Sequence, residues 1–397
     1  MPPSLTSRPT LLLVVLALLA GARAPYVSAQ SVIQAREELR IDAEANDLLP
    51  IWWLFVSPKG VMVASQQQDR NFRFFAPDGR PLGTFGRNGE GPGEFRRIEG
   101  TRAGWVGDTL WLTEASQPRL TFVGPDLKLV RMEKLPIALL GPRGEAITEA
   151  PITQPFLFGL APDRSLLTMS FWREGATLPA WLNVPAGHSR FFLRESREGR
   201  LTQYLGAIPN DVTTCESGDR NGRVVVPWCP RAAITEPLDR NRFALVTAGP
   251  GTATEGRYRV VVVDATKGDS LLNREYRYRP VAIPSRAIDS ARAALMSAKG
   301  VPPQLLQMYG KATFPTHYPP FRSALMGRDG TIAIELFGVV GGRRQWRFLD
   351  SRGGDLGIVA FPASVRLYAI ERGRAWGTDG EPGDQDSIVR YSWRVGS

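Results

Sequence analysis

FRFFAPDGRPLGTFGRNGEGPGEF, from Phe72 to Phe95, decides the fold. Its first half alternates aromatic and polar residues around Asp78-Gly79, a dipeptide that supplies the positive φ angles of a tight reversal between right-twisted strands. That half is a β-hairpin. The second half, from Gly86 to Glu94, is glycine, charge and one proline, which a hairpin does not need. Glycine allows sharp backbone turns, so this run carries the chain from the end of one sheet to the start of the next.

The same unit recurs on both sides. After Asp47 the chain falls into short aromatic and β-branched runs separated by turn residues, the pattern of an all-β protein. WWLFVSPKGVMVASQ followed by NFRFFAPDGRPLGTFG reads as strand, turn, strand, polar loop, strand, turn, strand. TRAGWVGDTLWLTEA and RLTFVGPDLKLVRME repeat it, and four further units follow at similar spacing. Repetition of this kind is the signature of a propeller. The fold class is therefore all-β: a six-bladed β-propeller of four-stranded antiparallel blades. Six inner turns can be counted, around Lys59, Asp108, Asp163, Asp239, Asp329 and Gly373, but only five outer ones, around Asp78, Asp126, Glu198, Lys267 and Gly353. The sixth blade lacks its outer strand. SVIQAREELRI, near the start of the chain, can supply it and close the ring, which leaves no unpaired sheet edge. A helix is the rival reading of that segment, since Ala, Arg, Glu and Leu favour one.

The block FRFFAPDGRPLGTFGRNGEGPGEFRRIEG resembles the NHL-type repeat of six-bladed β-propellers, including secreted bacterial ones. In that repeat a hairpin is followed by Phe-Gly, a Gly-Pro-Gly-polar-Phe crossover and the next inner strand. LWLTEASQPRLTFVGPDLKLV is similar to the usual continuation. The match covers residues 52–135; beyond it the spacing continues without the Gly-Pro-Gly block. The resemblance implies a propeller, and propellers of this type serve binding, scaffolding and several unrelated enzymes.

Residues 1–29 have the parts of a secretory signal: Arg8 in a polar start, the apolar run from Leu11 to Ala20, and Val27-Ser28-Ala29 at the cut. The propeller domain then occupies residues 30–397, with a helical insertion at about 285–310, and the protein is expected to be secreted or periplasmic. The apolar run is short of the roughly 20 residues that span a bilayer, so no membrane span is expected after cleavage; retention as an anchor is the weaker alternative. Cys215 and Cys229 are the two cysteines, both in CESGDRNGRVVVPWC. In an oxidising compartment they are expected to form a disulfide. Net charge is +10, and without Arg8 and Arg23 it becomes +8, from 47 basic and 39 acidic residues. Only six of the basic residues are lysines, and the arginines are scattered rather than gathered in a block. Nucleic acid is therefore not an expected partner, and a monomer is expected.

In a propeller the inner and outer hairpin turns share one face, and the crossovers and middle loops share the other. Every long segment here falls on the second face: Gly86 to Gly100, Leu135 to Pro155, Trp172 to Ser189, Ala207 to Pro230, and Pro284 to Pro320. Loops on a rigid scaffold are where binding usually resides. The last segment contains SRAIDSARAALMSA, in which Ser285 can cap a helix and Ile288, Ala291, Leu295 and Ala298 line one side. Phe95, Arg96, Phe156, Trp228, His317 and Tyr318 sit at crossover ends and are the candidate ligand-binding residues; packing between blades is the alternative for the rings among them. TDGEPGDQD gathers Asp379, Glu381, Asp384 and Asp386, whose oxygens could hold calcium, although the spacing is not that of an EF-hand and a solvated turn is the plainer reading.

Catalytic motifs are thin. GDSL at Gly268 to Leu271 copies the nucleophile block of a lipase family, but it lies in an outer turn and neither His188 nor His317 follows Asp-x-x-His. Gly-x-Ser-x-Gly, His-Glu-x-x-His and Walker sequences do not occur. The function these features imply is binding of an unidentified protein partner or small ligand on the long-loop face, with no catalysis and no cofactor assigned. The alternative is a calcium-dependent hydrolase or lyase with its site at the channel.

Overall fold

The computed structural model describes residues 32–394 apart from 115–116, 137–139, 141–142, 144–155, 162, 172–187, 210–215, 220–221, 236–241, 250, 299 and 382–383. The leader proposed for residues 1–29 lies outside the described residues.

Six antiparallel blades form the ring, and each begins with its inner strand. Blade one is Ile51–Val56, Met62–Gln66, Asn71–Phe75 and Pro81–Phe85. Blade two is Ala103–Val106, Thr109–Glu114, Gln117–Val123 and Leu129–Lys134. Blade three is Phe156–Leu160, Leu166–Phe171, His188–Glu195 and Leu201–Pro209. Blade four is Ala233–Ile234, Arg242–Ala248, Gly256–Asp264 and Ser270–Tyr278. Blade five is Ser323–Met326, Ile332–Val340, Arg343–Leu349 and Asp355–Pro362. Blade six takes three strands from the C-terminal end, Val365–Glu371, Arg374–Asp379 and Ser387–Ser392, and its outer strand from the N-terminal side, Arg36–Ile41.

That outer strand is extended, not helical. It pairs antiparallel with the last strand, Arg36 opposite Ser392 and Ile41 opposite Ile388. Just before it, Ile33–Gln34 pairs parallel with the outer strand of blade five, so the N-terminal segment staples two blades. Apolar side chains fill each of the six seams. The seam between blades six and one buries Ile41, Leu48, Ile51, Met62 and Trp376, and the one between three and four buries Leu167, Phe192 and Phe243. Each such side chain contributes roughly 1.5–3 kcal/mol when removed from water, which is why the blades hold together without covalent links.

The glycine-rich crossover from blade one to blade two is compact. Arg87–Asn88 pairs parallel with Glu94–Phe95, and the Glu94 carboxylate accepts the Gly91 N–H at 2.8 Å. Two glycines are obligatory. Gly86 has φ 98°, and a Cβ there would stand 2.9 Å from the Phe95 ring; Gly89 has φ 150°, and a Cβ would collide with the Glu94 carboxylate. From blade two, Arg119 donates to the Glu90 carbonyl at 2.8 Å and to the Glu94 carbonyl, and pairs with buried Glu114 at 3.0 Å. Glu114 also accepts the backbone N–H of Arg96 at 2.7 Å and of Arg97 at 3.1 Å. The crossover is thereby fastened to the blade it leads into.

The insertion at 285–310 contains two helices where the sequence pattern indicates one: α1, Ser285–Met296, and α2, Pro303–Lys311. Gly300, at φ 78°, and the Pro302-Pro303 pair break the helix between them. Ser285 does not cap α1; Pro284 holds that position with φ −59° and ψ 137°, and Ser285 lies inside the first turn. Ala298 lies beyond the end of α1 and is exposed. The remaining stripe, Ile288, Ala291 and Leu295, packs with Leu305 and Met308 of α2 against Val224, Val226 and Cys229. The crossovers on either side of blade four thus grip each other, the first contributing the hairpin Glu216–Asp219 and Gly222–Val225. Cys215 lies outside the described residues; Cys229 is buried in this cluster.

Deleting residues 30–41 should expose the edge of Ser387–Ser392 and remove Ile41 from the seam between blades six and one. The expected outcome is aggregation or a large drop in melting temperature. A truncated chain that melts like the full one would refute closure by this strand.

Candidate functional site

A cavity of about 600 Å³ occupies the axis of the ring, and every blade contributes to its wall. Trp53, Arg102, Phe158, Thr235, Arg322 and Tyr368 are one such residue from each of blades one to six. Most of the wall is apolar because inner strands turn alternate side chains toward the axis. Among the described residues the chamber's short-turn end is bridged by a side chain. Arg328, in the short turn of blade five, reaches the carbonyls of Val56 and, at 3.3 Å, Ser57 in blade one, and lies 3.9 Å from Glu371 in blade six. The lining stops at Val56, Met326 and Ala369 and does not include these turns. Among the described residues the open end therefore lies on the long-loop face.

The polar groups collect at that open end. Arg102 and Arg322 directly precede inner strands, Arg366 is the second residue of one, and Arg344 is the second residue of the third strand of blade five. Glu335 is the carboxylate among the lining residues; it accepts the Ser323 hydroxyl at 2.7 Å and faces Arg344 at 3.3 Å. The Arg102 guanidinium lies over the Trp53 ring, 5.2 Å from its centroid, and Arg322 lies over Phe337 at 5.1 Å. Phe337 stacks on Tyr318 with centroids 5.5 Å apart, and Tyr318 meets Trp228 edge-on at 5.8 Å. A ladder of rings thus leads from Arg322 to the helical insertion. Burial pushes the Tyr368 hydroxyl up.

The sequence candidates scatter around this arrangement. Tyr318 and Trp228 belong to the ring ladder. His317 is half-buried beside them, its Nδ1 2.9 Å from the Thr316 hydroxyl. Phe156 is 59% exposed at the start of blade three. Phe95 is 1% exposed and packs edge-on against Phe72 and Phe85, inside the seam between blades one and two. That is a core position: the room left by Gly86 draws the ring inward, so it cannot form part of a rim. Arg96 is exposed and pairs with Glu90.

The four carboxylates considered for calcium do not converge. Asp379 binds Arg40 at 2.6 Å, which holds its carboxyl low against the upward push of burial. Asp386 is buried and accepts the Ile51 N–H at 2.9 Å, with Arg366 at 3.7 Å; burial raises its carboxyl all the same. Glu381 and Asp384 are exposed. Among the described residues no group of three or more His, Cys, Asp or Glu gathers as a metal site would require.

The residues that sequence reasoning missed are the channel arginines, Glu335, Trp53 and Phe337. One signal was present. In TRAGW, FRSALM and VRLYAI an arginine stands beside the first residue of an inner strand.

No family model and no curated protein matches the chain. Among solved structures it is similar to a member of the duf4221 family from Bacteroides vulgatus, at 10% identity and a TM-score of 0.48, over 93% of this chain and 99% of that one. It is also similar to virginiamycin B lyase from Staphylococcus aureus, at 11% identity and a TM-score of 0.40, over 91% and 98%. A third is the calcium-binding protein regucalcin from Agrobacterium tumefaciens, at 12% identity and a TM-score of 0.38, over 92% and 97%. At these values the function has to be read from this chain's own residues.

One strongly displaced carboxyl lies outside the chamber lining. Glu195, within blade three, is 1% exposed and accepts the Thr168 hydroxyl. Burial outweighs that bond and pushes its carboxyl from 4.5 up to about 7. Because the folded pKa is raised, the stabilising contribution is complete below pH 4.5 and lost as pH rises to about 7. Stability should fall by about 3 kcal/mol across that window. Glu195→Gln should flatten the slope, as read by urea unfolding at several pH values; an unchanged slope would assign it to other groups.

Proposed function

We propose that the chain is an exported binding protein that takes a small ligand into the axial chamber through its long-loop face. The observation that carries this reading is the axial cavity of about 600 Å³, lined by all six blades, with its polar groups and ring ladder toward the crossovers. Pockets of roughly 300–1,000 Å³ with apolar walls and a few convergent polar groups are the usual form of small-molecule sites. Trp228, His317 and Tyr318 form the approach to the chamber, and Phe156 and Arg96 lie on other crossovers of the same face. Export is supported by the leader pattern in residues 1–29, and the NHL-type resemblance by residues 52–135. Among the described residues no helix is long and apolar enough to cross a membrane. The protein acts as a monomer, and Cys215 is joined to Cys229, which steadies the crossover beneath the helices.

A thermal-shift screen of the mature chain against carboxylates, sugars, nucleotides and short peptides tests this directly. For any hit, Trp228→Ala, His317→Ala or Tyr318→Ala should weaken binding by about 1 kcal/mol or more, while Lys59→Ala and Lys267→Ala on the short-turn face should leave it unchanged. Equal losses on both faces, or losses confined to the short-turn face, would overturn the assignment. Mass spectrometry of exported material should find no free thiol; two free thiols would exclude the Cys215–Cys229 bond.

A further inference from the structure

We infer that the chamber is built for an anion carried on a flat apolar body, such as an aromatic carboxylate or sulfonate, with the charged end held at Arg322. This rests on the chamber being a binding site and names what enters it. Among the described residues Arg102, Arg322, Arg344 and Arg366 line the cavity with one carboxylate, Glu335; Arg344 pairs with Glu335 and Arg366 with Asp386, so the charge most open to a ligand is that of Arg322. Glu335 is already committed to Ser323 and Arg344. The nearby Asp386 lies behind Arg366 and takes the Ile51 N–H.

Donors outnumber acceptors in the same wall. The Arg344 Nε and Trp53 Nε1 atoms are buried without a hydrogen-bond partner, and such groups are costly until an acceptor arrives. Arg322 is oriented for the purpose. Its planar face rests on Phe337, among the described residues no carboxylate pairs with it, and its N–H edge is the fork that fits a carboxylate or sulfonate. Deeper in the chamber the wall is apolar, with Val56, Leu325, Met326 and Ala369. The apolar body of the ligand goes there and its charge stays at the mouth. A neutral sugar would leave both the excess charge and the apolar depth unmatched.

Two dyes with the same ring system separate the claims: 1-anilinonaphthalene-8-sulfonate, and N-phenyl-1-naphthylamine, which lacks the sulfonate. Fluorescence titration of the mature chain should show saturable one-to-one binding of the sulfonate, about tenfold or more tighter than the neutral dye, and weaker in high salt. Arg322→Gln, at an exposed side chain, should weaken the sulfonate about tenfold and leave the neutral dye and the melting temperature unchanged. Arg322→Lys, which keeps the charge but not the fork, should fall between. Leu325→Trp, which fills the chamber, should abolish binding of both dyes. If both dyes bind equally and Arg322→Gln changes neither, the anion preference is overturned while the chamber remains a binding site. If neither dye binds, or Leu325→Trp leaves binding intact, the chamber reading falls with it.

Discussion

The ring depends on one backbone ladder between residues from opposite ends of the chain. Glu37 and Tyr391, paired across it, are 354 positions apart. Closing so long a loop costs about 5 kcal/mol in chain entropy, since the cost grows only with the logarithm of length. The burial of Ile41, Ala43 and Leu48 in the adjoining seam is enough to offset it. The surface pairs that flank the ladder, Arg40 with Asp379 and Arg390 with Glu38, contribute little beside that burial. Closure therefore rests on hydrogen-bonded strands and buried apolar area, and the charges around it serve mainly to set register.

Once the ring is closed, the path of the chain determines where chemistry can gather. Hairpin turns must be short to keep strands in register, while crossovers have to travel from rim to axis and have length to spare. Here that length is used in two ways. Between blades one and two it is condensed into a loop held by Glu94, Arg119 and Glu114. Around blade four it grows into a hairpin and two helices that share one apolar cluster. The first arrangement makes a rigid rim, and the second raises a wall beside the chamber mouth.

The architecture was legible because its signals are local. Asp-Gly and similar turns recur at blade spacing, and counting inner against outer turns located the missing strand. The second helix was not legible: α2 is nine residues long and opens with Pro-Pro, too short for its period to stand out. Phe95 looked like a rim residue because its neighbours are polar, yet the missing Cβ of Gly86 lets it turn into the seam. The acidic loop could be read as a solvated turn or a calcium site because the partners of Asp379 and Asp386, Arg40 and Ile51, lie more than 300 positions away. The channel arginines are indistinguishable in the sequence from many others, since composition says nothing about which strand end faces the axis.

The floor made by Arg328 carries a kinetic consequence. A pore open at both ends would let solute pass through, and its filling and emptying could be governed by separate gates. A cup has a single mouth, so for the proposed ligand arrival and departure would cross the same rings and the same crossovers. Water displaced by an incoming molecule must leave against it. The residence time of the proposed ligand would then be set by the loops around the mouth rather than by the blades.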